Sequence, residues 1–348
     1  MSGKRYSRQV ILPGVGEAGQ ARLAAAHVLV VGCGGLGSPA AVYLAGAGIG
    51  TLTLVDGDTV NLSNLHRQVF FRTEEAGPKA RLLAQHCRQL NPGTRVRAHE
   101  SFLDANNVKA LVEAADLVLD CTDDATTKHL LNDACVLLHT PLVYAAAQTF
   151  EGYLALFPNA PSTSFGDHPG SVKLRDLFPN PDPALPDCAT TGVLPTAVGT
   201  VALLQANAAL CFLLGIGEPP VNTLLTFNAL TNRQHRLKIR KTYQQPIVPP
   251  WAQTRPSRAA LETTNDNFAD YDQVFSMLTE DREPDLPTGV IRLTRRNPFG
   301  QCMEQMQPGG SYLLYCNSGK LSLVLAAQIR KANPEIEAVS LRGGRSRR

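Results

Sequence analysis

Short apolar runs alternate with helix-length segments through the first 150 residues of the chain. The first run, His27 to Val31, is followed by a glycine-rich turn, a segment of small residues and a second apolar run, Thr51 to Val55. Continuous apolar runs of about five residues are typical of parallel strands covered on both faces. The pattern predicts a βαβ unit that continues as a doubly wound, mostly parallel α/β sheet. Further strands are predicted at residues 95–98, 117–121 and 142–146, with helices at 79–89, 107–115 and 125–139.

The pattern changes after residue 150. Residues 153–157 predict an antiparallel strand, residues 178–187 a loop rich in Pro and Asp, residues 198–214 a long apolar helix, and residues 224–228 another strand. We therefore expect an antiparallel extension of the sheet and a first domain at residues 1–242. Residues 243–267 are rich in proline and lack periodicity, which is typical of a linker. Residues 268–348 form a predicted second, small α/β domain, with a strand at 312–315 and a helix at 323–331.

Length and charge narrow the class of protein. The chain has 348 residues, of which 44% are apolar and 18% charged, as in ordinary globular proteins with two domains. A net charge of +3 lacks the concentrated positive field of a nucleic-acid-binding protein. The first nine residues contain no apolar core of a signal peptide, so we expect a cytoplasmic protein. Residues 190–217 carry no charge, but Gly192, Pro195 and Gly199 favour a buried helix over a membrane span.

The eight cysteines stand at least 14 residues apart, and none forms a CxxC pair. This spacing argues against a zinc knuckle or a dithiol redox site. We expect most of these thiols to be buried as small apolar groups.

A glycine loop follows the first strand. Gly32, Gly34 and Gly37 match GxGxxG between a strand and a helix, and Asp56 ends the next strand. In such a Rossmann-like unit the helix N-terminus binds phosphate and the carboxylate binds ribose hydroxyls. An NAD-dependent oxidoreductase is therefore the first candidate, but this motif does not distinguish NAD from ATP.

The residues after Asp56 favour ATP. They combine carboxylates, amides, a hydroxyl and two cations within 24 residues: Asp58, Asn61, Ser63, Asn64, Arg67, Gln68 and Lys79. A triphosphate that is attacked needs fixed cations, because negative charge moves onto the departing pyrophosphate. Asp120 and Asp123, at the end of a later strand, supply an oxygen ligand for Mg²⁺.

The first 240 residues resemble the ThiF/MoeB group of sulfur-carrier adenylyltransferases, the bacterial relatives of ubiquitin-activating enzymes. The resemblance rests on YSRQVILPGVGEAGQARL, on VVGCGGLGSPAA and on VDGDTVNLSNLHRQ. It implies that the chain adenylates the C-terminal Gly-Gly carboxylate of a small ubiquitin-like sulfur carrier, as a homodimer without nucleic-acid or membrane partners.

The resemblance also implies a role for individual residues. Asp56 would hold the ATP ribose; Asn64, Arg67 and Lys79 would contact the phosphates; Asp123 would hold Mg²⁺; and Arg8 would reach the nucleotide of the partner copy. The full set of predicted nucleotide-binding residues is Gly32, Gly34, Gly35, Gly37, Asp56, Asp58, Ser63, Asn64, Arg67, Gln68, Lys79, Asp123 and Asp124.

The chain departs from the family pattern at two places that concern metals. Asp124 stands where the family has Asn, which adds a carboxylate beside the predicted phosphate site. Family members that bind a structural zinc use two CxxC pairs. The first pair would align with Lys173 to Asp176, and the second is missing too, so we expect no zinc.

Two cysteines are candidates for sulfur chemistry. Cys188, in LPDCATTGV, aligns with a cysteine of the family's crossover loop and could attack the acyl-adenylate or carry persulfide. Cys316 begins CNSGKLS, which resembles a rhodanese active loop whose usual arginines are replaced, so this rhodanese-like domain is either active or degenerate.

The sequence therefore predicts an ATP-dependent adenylyltransferase with a rhodanese-like C-terminal domain. Two alternatives remain open. One is an NAD-dependent oxidoreductase, and the other is a non-catalytic scaffold that binds a ubiquitin-like partner.

Overall fold

The computed structural model describes residues 2–167, 172–181, 192–252, 258–294, 296–317 and 319–345. It divides into two compact units. The first unit contains the described residues up to 252, and the second contains those from 258 onward.

An eight-stranded sheet forms the centre of the first unit. Its strand order is β10-β9-β6-β5-β4-β1-β2-β3. The five strands from β5 to β3 run parallel, and β6, β9 and β10 extend the sheet in antiparallel pairs. This arrangement confirms the predicted mostly parallel sheet with an antiparallel extension. The strands of this unit are β1 His27–Val31, β2 Thr51–Val55, β3 Arg95–His99, β4 Leu117–Asp120, β5 Leu142–Gln148, β6 Glu151–Phe157, β7 Ser162–Thr163, β8 Gly166–Asp167, β9 Thr223–Asn228 and β10 Arg233–Lys238.

Helices cover the parallel part of the sheet because its strands are apolar on both faces, with every residue of β4 buried. The apolar residues of the first unit form two cores. The helices are α1 Ser2–Arg5, α2 Ser7–Val10, α3 Gly16–Ala25, α4 Gly37–Ala47, α5 Lys79–Leu90, α6 Val108–Glu113, α7 Ala125–Leu137, α8 Leu174–Leu177 and α9 Pro195–Leu214.

Helix α9 is the long apolar helix predicted from the uncharged run. By length and composition it would suffice to cross a membrane. In the folded chain it packs against α4, β5 and β6, and about half of it is buried. Pro195 begins it, where a missing amide costs nothing, and Gly215 ends it in a left-handed conformation. The predicted long helix therefore forms, and part of it packs on the sheet and on α4.

Strand β10 was not predicted. Its sequence, RQHRLK, is almost entirely polar, and all six residues are exposed. No alternation of apolar and polar residues marks it, because neither of its faces packs on a core. It forms through backbone pairing with β9 alone.

The second unit is a smaller α/β structure with a five-stranded parallel sheet in the order β11-β15-β14-β12-β13. Phe275, Leu314 and Ile329 lie fully buried in its core. Its strands are β11 Glu262–Thr263, β12 Gln273–Ser276, β13 Val290–Arg292, β14 Ser311–Tyr315 and β15 Glu337–Leu341, and its helices are α10 Arg258–Leu261, α11 Pro298–Met303 and α12 Lys320–Ala332.

The predicted linker at residues 243–267 is shorter in the structure. Pro250 is buried, and Trp251 packs on a core of the first unit. Farther on, α10 and β11 belong to the second unit, where β11 pairs with β15. The predicted domains were 1–242 and 268–348. In the structure the first unit extends to residue 252, and the described part of the second begins at residue 258. The proline-rich composition suggested a linker, but it did not predict these contacts. Proline lacks a backbone N–H donor, yet its side chain can still be buried.

Candidate functional site

The glycine loop joins β1 to α4 at the carboxyl edge of the sheet. Gly32 has a positive φ of 91°, and its amide donates to the carbonyl of Val55 at 2.8 Å. A Cβ on Gly37 would lie 1.8 Å from the carbonyl oxygen of Gly32, so only glycine permits this approach. The loop therefore leads directly into the N-terminus of α4, where free amides and the helix dipole favour an anion such as phosphate.

Asp56, at the end of β2, holds this loop in place. Its carboxylate accepts the amide of Cys33 at 2.7 Å and the amide of Asp58 at 2.7 Å, each on a different oxygen. Burial is the main reason that its pKa is raised to about 6, and the positive charge of Lys79 opposes the rise. Each oxygen keeps a further lone pair, so the carboxylate is able to accept a ligand hydroxyl as predicted.

The segment after β2 supplies a cation and an amide. Asn61 accepts the amide of Ser63 at 2.9 Å and its hydroxyl at 2.7 Å, so the Ser63 side chain completes this turn. One turn later, the guanidinium of Arg67 donates to Asn64 Oδ1 at 3.0 Å. Asn64 and Arg67, which were predicted to act together, are therefore in direct contact.

This segment packs tightly against the glycine loop. The carbonyl oxygen of Arg67 lies 3.1 Å from where a Cβ on Gly35 would be, and Gln68 Nε2 lies 3.2 Å from the same position on Gly34. Gln68 is buried, and its Oε1 has no hydrogen-bond partner among the residues that the structure describes. Such an acceptor costs free energy unless a ligand or water satisfies it. The predicted polar segment and the predicted glycine loop thus form one site.

Lys79 begins α5 and is held by the same region. Its Nζ lies 3.3 Å from Asp58 Oδ2, and its side chain is only 5% exposed, whereas that of Asp58 is half exposed. Its amide also donates to the carbonyl of Asp58 at 2.9 Å. Asp58, predicted as a direct ligand contact, is thus also the partner that positions the Lys79 ammonium.

The end of β4 approaches the glycine loop from the other side. A Cβ on Gly32 would lie 2.7 Å from the carbonyl oxygen of Cys121, directly after β4. The exposed Asp123 follows, so its carboxylate lies in the loop after β4, at the same edge of the sheet as the glycine loop. Asp124 also has a structural role, which was not predicted. Its Oδ2 accepts the amide of Thr127 at 2.7 Å and caps α7, which an Asn would do equally well.

A buried network behind Asp123 was not predicted. Asp120 is fully buried, and its Oδ1 accepts the Thr122 amide at 3.0 Å and the ammonium of Lys128 at 3.1 Å. Gln205, in α9, donates to the carbonyl oxygens of Asp120 at 2.9 Å and Val143 at 2.8 Å. The network fixes the turn that carries Asp123. The isolated polar Gln205 in an apolar helix was the signal that could have revealed it.

Arg8 is not part of this cluster. It is exposed on α2, and its neighbour Gln9 binds the carbonyl of Ala47 at 2.9 Å, at the C-terminal end of α4. Because the glycine loop lies at the other end of this 11-residue helix, about 16 Å separate the two ends. Arg8 is therefore anchored away from the glycine loop of its own chain.

The cysteines are mostly core residues, as expected. Six of the seven that the structure describes are buried, and Cys211 is partly exposed. Burial raises the pKa of Cys87 and that of Cys302 to about 12, so neither is a ready nucleophile. The predicted loop residue Cys188 lies outside the described residues.

Cys316 lies in the second unit, directly after β14. It is 3% exposed, and the hydroxyl of Ser322 lies 3.4 Å from its sulfur. The carbonyl of Cys316 accepts the amide of Arg345 at 2.8 Å. The Cys316 thiol is therefore buried, and it lies between the end of β14 and the helix α12, as the loop pattern predicted.

The described part of the first unit thus combines three features at one edge of its sheet. They are a glycine loop at a helix N-terminus, two cations that approach it, and an exposed carboxylate in the next loop. Together they can bind a phosphorylated ligand and neutralise charge that develops on it.

The curated relatives of this chain share its first unit. The chain is 45% identical over 246 residues to the adenylyltransferase and sulfurtransferase uba4 of Emericella nidulans, which covers 68% of this chain and 50% of that protein. It is 43% identical over 246 residues to the sulfur carrier protein adenylyltransferase of Thermus thermophilus, covering 70% of this chain and 89% of that protein. The chain spans about half the length of the uba4 relatives that it matches.

Solved structures match the fold. The crystal structure of E. coli MccB with ATP aligns with a TM-score of 0.56 and 22% identity, over 68% of this chain and 72% of that one. The structure of PaaA aligns with a TM-score of 0.54 and 21% identity, over 69% and 74%. The model of the ThiF family matches residues 6–247, which include the whole cluster around the glycine loop. The chain belongs to the ThiF family.

Proposed function

We propose that this chain is an ATP-dependent adenylyltransferase that activates the C-terminal Gly-Gly carboxylate of a small ubiquitin-like sulfur carrier. Two relatives support the proposal by name, since one is a sulfur carrier protein adenylyltransferase and the other an adenylyltransferase and sulfurtransferase.

The observation that carries the proposal is the packing of two cations around one glycine loop. Arg67 is in the segment that packs against Gly35. Lys79 forms an ion pair with Asp58, which follows two residues after Asp56, the carboxylate that binds the glycine loop. A dinucleotide's pyrophosphate is already neutralised by the helix N-terminus and requires no such pair. A triphosphate under attack does require it, so this site favours ATP over NAD.

The reaction exchanges one phosphorus–oxygen bond for another. A carboxylate oxygen of the carrier attacks the α-phosphorus of ATP, and the bond between the α-phosphorus and the bridging oxygen to the β-phosphate breaks. The products are the acyl-adenylate and pyrophosphate, which takes the electron pair of the broken bond. Arg67 and Lys79 stabilise the negative charge that grows on the departing group, while Asp56 binds the ribose.

The carboxylates at the end of β4 fit a magnesium ion. Mg²⁺ commonly binds one or two carboxylates together with substrate phosphates, so the exposed Asp123 is sufficient as the protein ligand. When bound with ATP, the ion neutralises phosphate charge. The buried pair of Asp120 and Lys128 holds the turn before Asp123.

We further propose that the active form is a homodimer in which Arg8 serves the partner's nucleotide. Its position near the far end of α4 supports a contact in trans, because the neighbouring Gln9 is bound at the end of that helix that lies away from the glycine loop. Ile11 and Leu12, directly after α2, are 72% and 52% exposed, and burial against a second copy would remove this apolar surface from water.

The activated carboxylate is the substrate for a later sulfur transfer that yields a thiocarboxylate. Cys188 is our candidate for attack on the acyl-adenylate, because it needs only proximity to the activated carbonyl. Its thiolate would form a thioester with the carrier and release AMP, and sulfide from an external donor would then displace the thiolate to give the thiocarboxylate. Cys316, in the rhodanese-like second unit, is the alternative sulfur carrier. Its burial means that the loop after β14 must open before the thiol can react.

Exchange of labelled pyrophosphate into ATP tests the function. We expect exchange that requires Mg²⁺ and a purified carrier ending in Gly-Gly, and no signal with NAD. A carrier that lacks its last glycine is the matched control and should support no exchange. Tight NAD binding without exchange would favour the oxidoreductase, and carrier binding without exchange would favour the scaffold.

A further inference from the structure

One buried carboxylate connects two distant segments of the first unit. Asp176 is 9% exposed, and its Oδ1 accepts the amides of Thr242 and Tyr243, each at 2.7 Å. Its Oδ2 accepts the amide of Lys173 at 2.8 Å. Three backbone amides, two of them more than 60 residues away in sequence, are thus satisfied by a single side chain.

The side chains around Asp176 strengthen the same connection. The Lys173 ammonium lies 5.2 Å and the Arg175 guanidinium 5.3 Å from the centre of the Tyr243 ring. Arg175 also forms two hydrogen bonds with Asp133 of α7, at 2.7 and 2.6 Å. Residues 173–176 are therefore joined both to α7 and to residues 242–243.

A structural zinc does not fit this place. The family resemblance aligns the first zinc-binding cysteine pair with Lys173 to Asp176, where the structure has cations and an aromatic ring. Both oxygens of Asp176 are occupied by amides, and two positive side chains nearby would repel Zn²⁺. Within the described ranges, no group of three or more His, Cys, Asp or Glu side chains is arranged to hold a metal ion.

We propose that the Asp176 carboxylate is a metal-free cross-link at the place where the resemblance aligns a zinc-binding cysteine pair. It joins residues 173–178 to residues 242–243. Because α7 is held by the same segment, Asp176 is a positioning residue for the chain that leads towards residue 182. The connection to α7 includes the ring of His129, whose Nε2 lies 2.8 Å from the carbonyl oxygen of Phe178.

The cross-link predicts which amides become exposed when Asp176 is changed. In Asp176→Ala, the amides of Thr242 and Tyr243 lose their acceptor, so hydrogen exchange at both should accelerate about 100-fold. The thermal midpoint should fall by about 5 °C, since a 1 kcal/mol change shifts a domain of this size by about 2–4 °C. A chelator should leave the midpoint of the wild-type protein unchanged, and elemental analysis should find no stoichiometric zinc.

Two further variants keep the test decisive. Asp176→Asn retains an acceptor oxygen for Thr242 and Tyr243 but loses the acceptor for Lys173, so it should fold and show a smaller shift. Asp104→Ala is the matched control, because among the described residues the Asp104 carboxylate accepts only from Asn106 and Asn107, which are nearby in sequence. It should leave exchange at residues 242 and 243 unchanged.

Three results would overturn the proposal. They are unchanged protection of Thr242 and Tyr243 in Asp176→Ala, a fall of the wild-type midpoint with chelator, and one zinc per chain.

Discussion

Two lysine–carboxylate pairs in the first unit differ in how well water could solvate the carboxylate if the lysine were removed. In the pair of Lys79 and Asp58 the carboxylate is half exposed, so water solvates it if the ammonium is lost. In the pair of Lys128 and Asp120 the carboxylate is fully buried. Removing one partner of a buried pair leaves an uncompensated charge, which is far more costly than breaking an exposed pair. We therefore expect loss of the first lysine to affect ligand binding more than folding, and loss of the second to affect folding.

Lys79→Met should abolish most catalysis while the protein remains folded. The aliphatic part of the side chain is kept, but the charge that faces the departing pyrophosphate is lost, as it is in Arg67→Ala. We expect pyrophosphate exchange to fall about 100-fold to 1,000-fold in each variant, with circular dichroism unchanged. Lys109→Met, in an exposed pair with Glu113, is the control. Exchange near the wild-type rate in both active-site variants would remove these residues from the mechanism.

Lys128→Met should instead reduce stability. It leaves the buried Asp120 carboxylate without its counter-ion, and we expect urea denaturation to show a loss of about 3–5 kcal/mol. Arg at this position keeps the charge and should cost less. The double variant Asp120→Asn with Lys128→Met should recover most of the loss. A single variant as stable as the wild type would show that this pair does not hold the turn before Asp123.

The raised pKa of Asp56 predicts a pH dependence of stability. The folded pKa of about 6 exceeds the ordinary value of 3.8, so the protonated carboxyl favours the folded state. This contribution is complete below pH 3.8 and is lost as the pH rises through 6. Relative to Asp56→Asn, the wild-type free energy of unfolding should therefore fall by about 3 kcal/mol between about pH 3.5 and pH 7. Parallel pH profiles of the two proteins in urea denaturation would contradict the raised pKa.

At the scale of elements, the apolar pattern was sufficient to predict the buried strands but not the exposed strand β10. Strands β1 and β2 are apolar throughout most of their length and were predicted with their observed limits. Strand β10 carries no apolar pattern because all of its residues are exposed. Its backbone pairing with β9 orders it. The glycine loop was predictable because its spacing is set by local backbone geometry. The contact between Asp120 and Lys128 was not, because it depends on how α7 packs against β4.

The glycine loop requires glycine at position 37, whereas helix α9 does not require it at position 199. A Cβ on Gly37 would lie 1.8 Å from the Gly32 carbonyl oxygen, so Gly37→Ala must displace the start of α4. We expect it to weaken ATP binding at least about tenfold in calorimetry, as the amides lose their alignment. At Gly199, inside α9, a Cβ would have no atom of the described residues within 4 Å, apart from the helix's own backbone. Gly199→Ala should therefore stabilise the helix by about 0.5–1 kcal/mol without affecting ATP. Equal ATP affinity in both variants would contradict the proposed cradle.

At the scale of the whole molecule, the chain combines a ThiF-family unit with a second α/β unit. The two units were predictable from a change of composition, but their limits were not. Residues such as Trp251 are placed by tertiary packing that composition does not reveal. The candidate site residues could be named mainly through the family resemblance, because Arg67, Lys79 and Asp123 lie on separate elements that only the folded sheet brings to one edge.

The most direct test of the central claim is the intact mass of a Gly-Gly carrier after incubation with this protein, ATP and Mg²⁺, in the presence of pyrophosphatase. The account predicts a carrier heavier by one adenylyl group, a change that disappears with Lys79→Met and is absent when NAD replaces ATP. A carrier of unchanged mass, with ATP bound and the wild-type protein folded, would contradict the assignment of this chain as an adenylyltransferase.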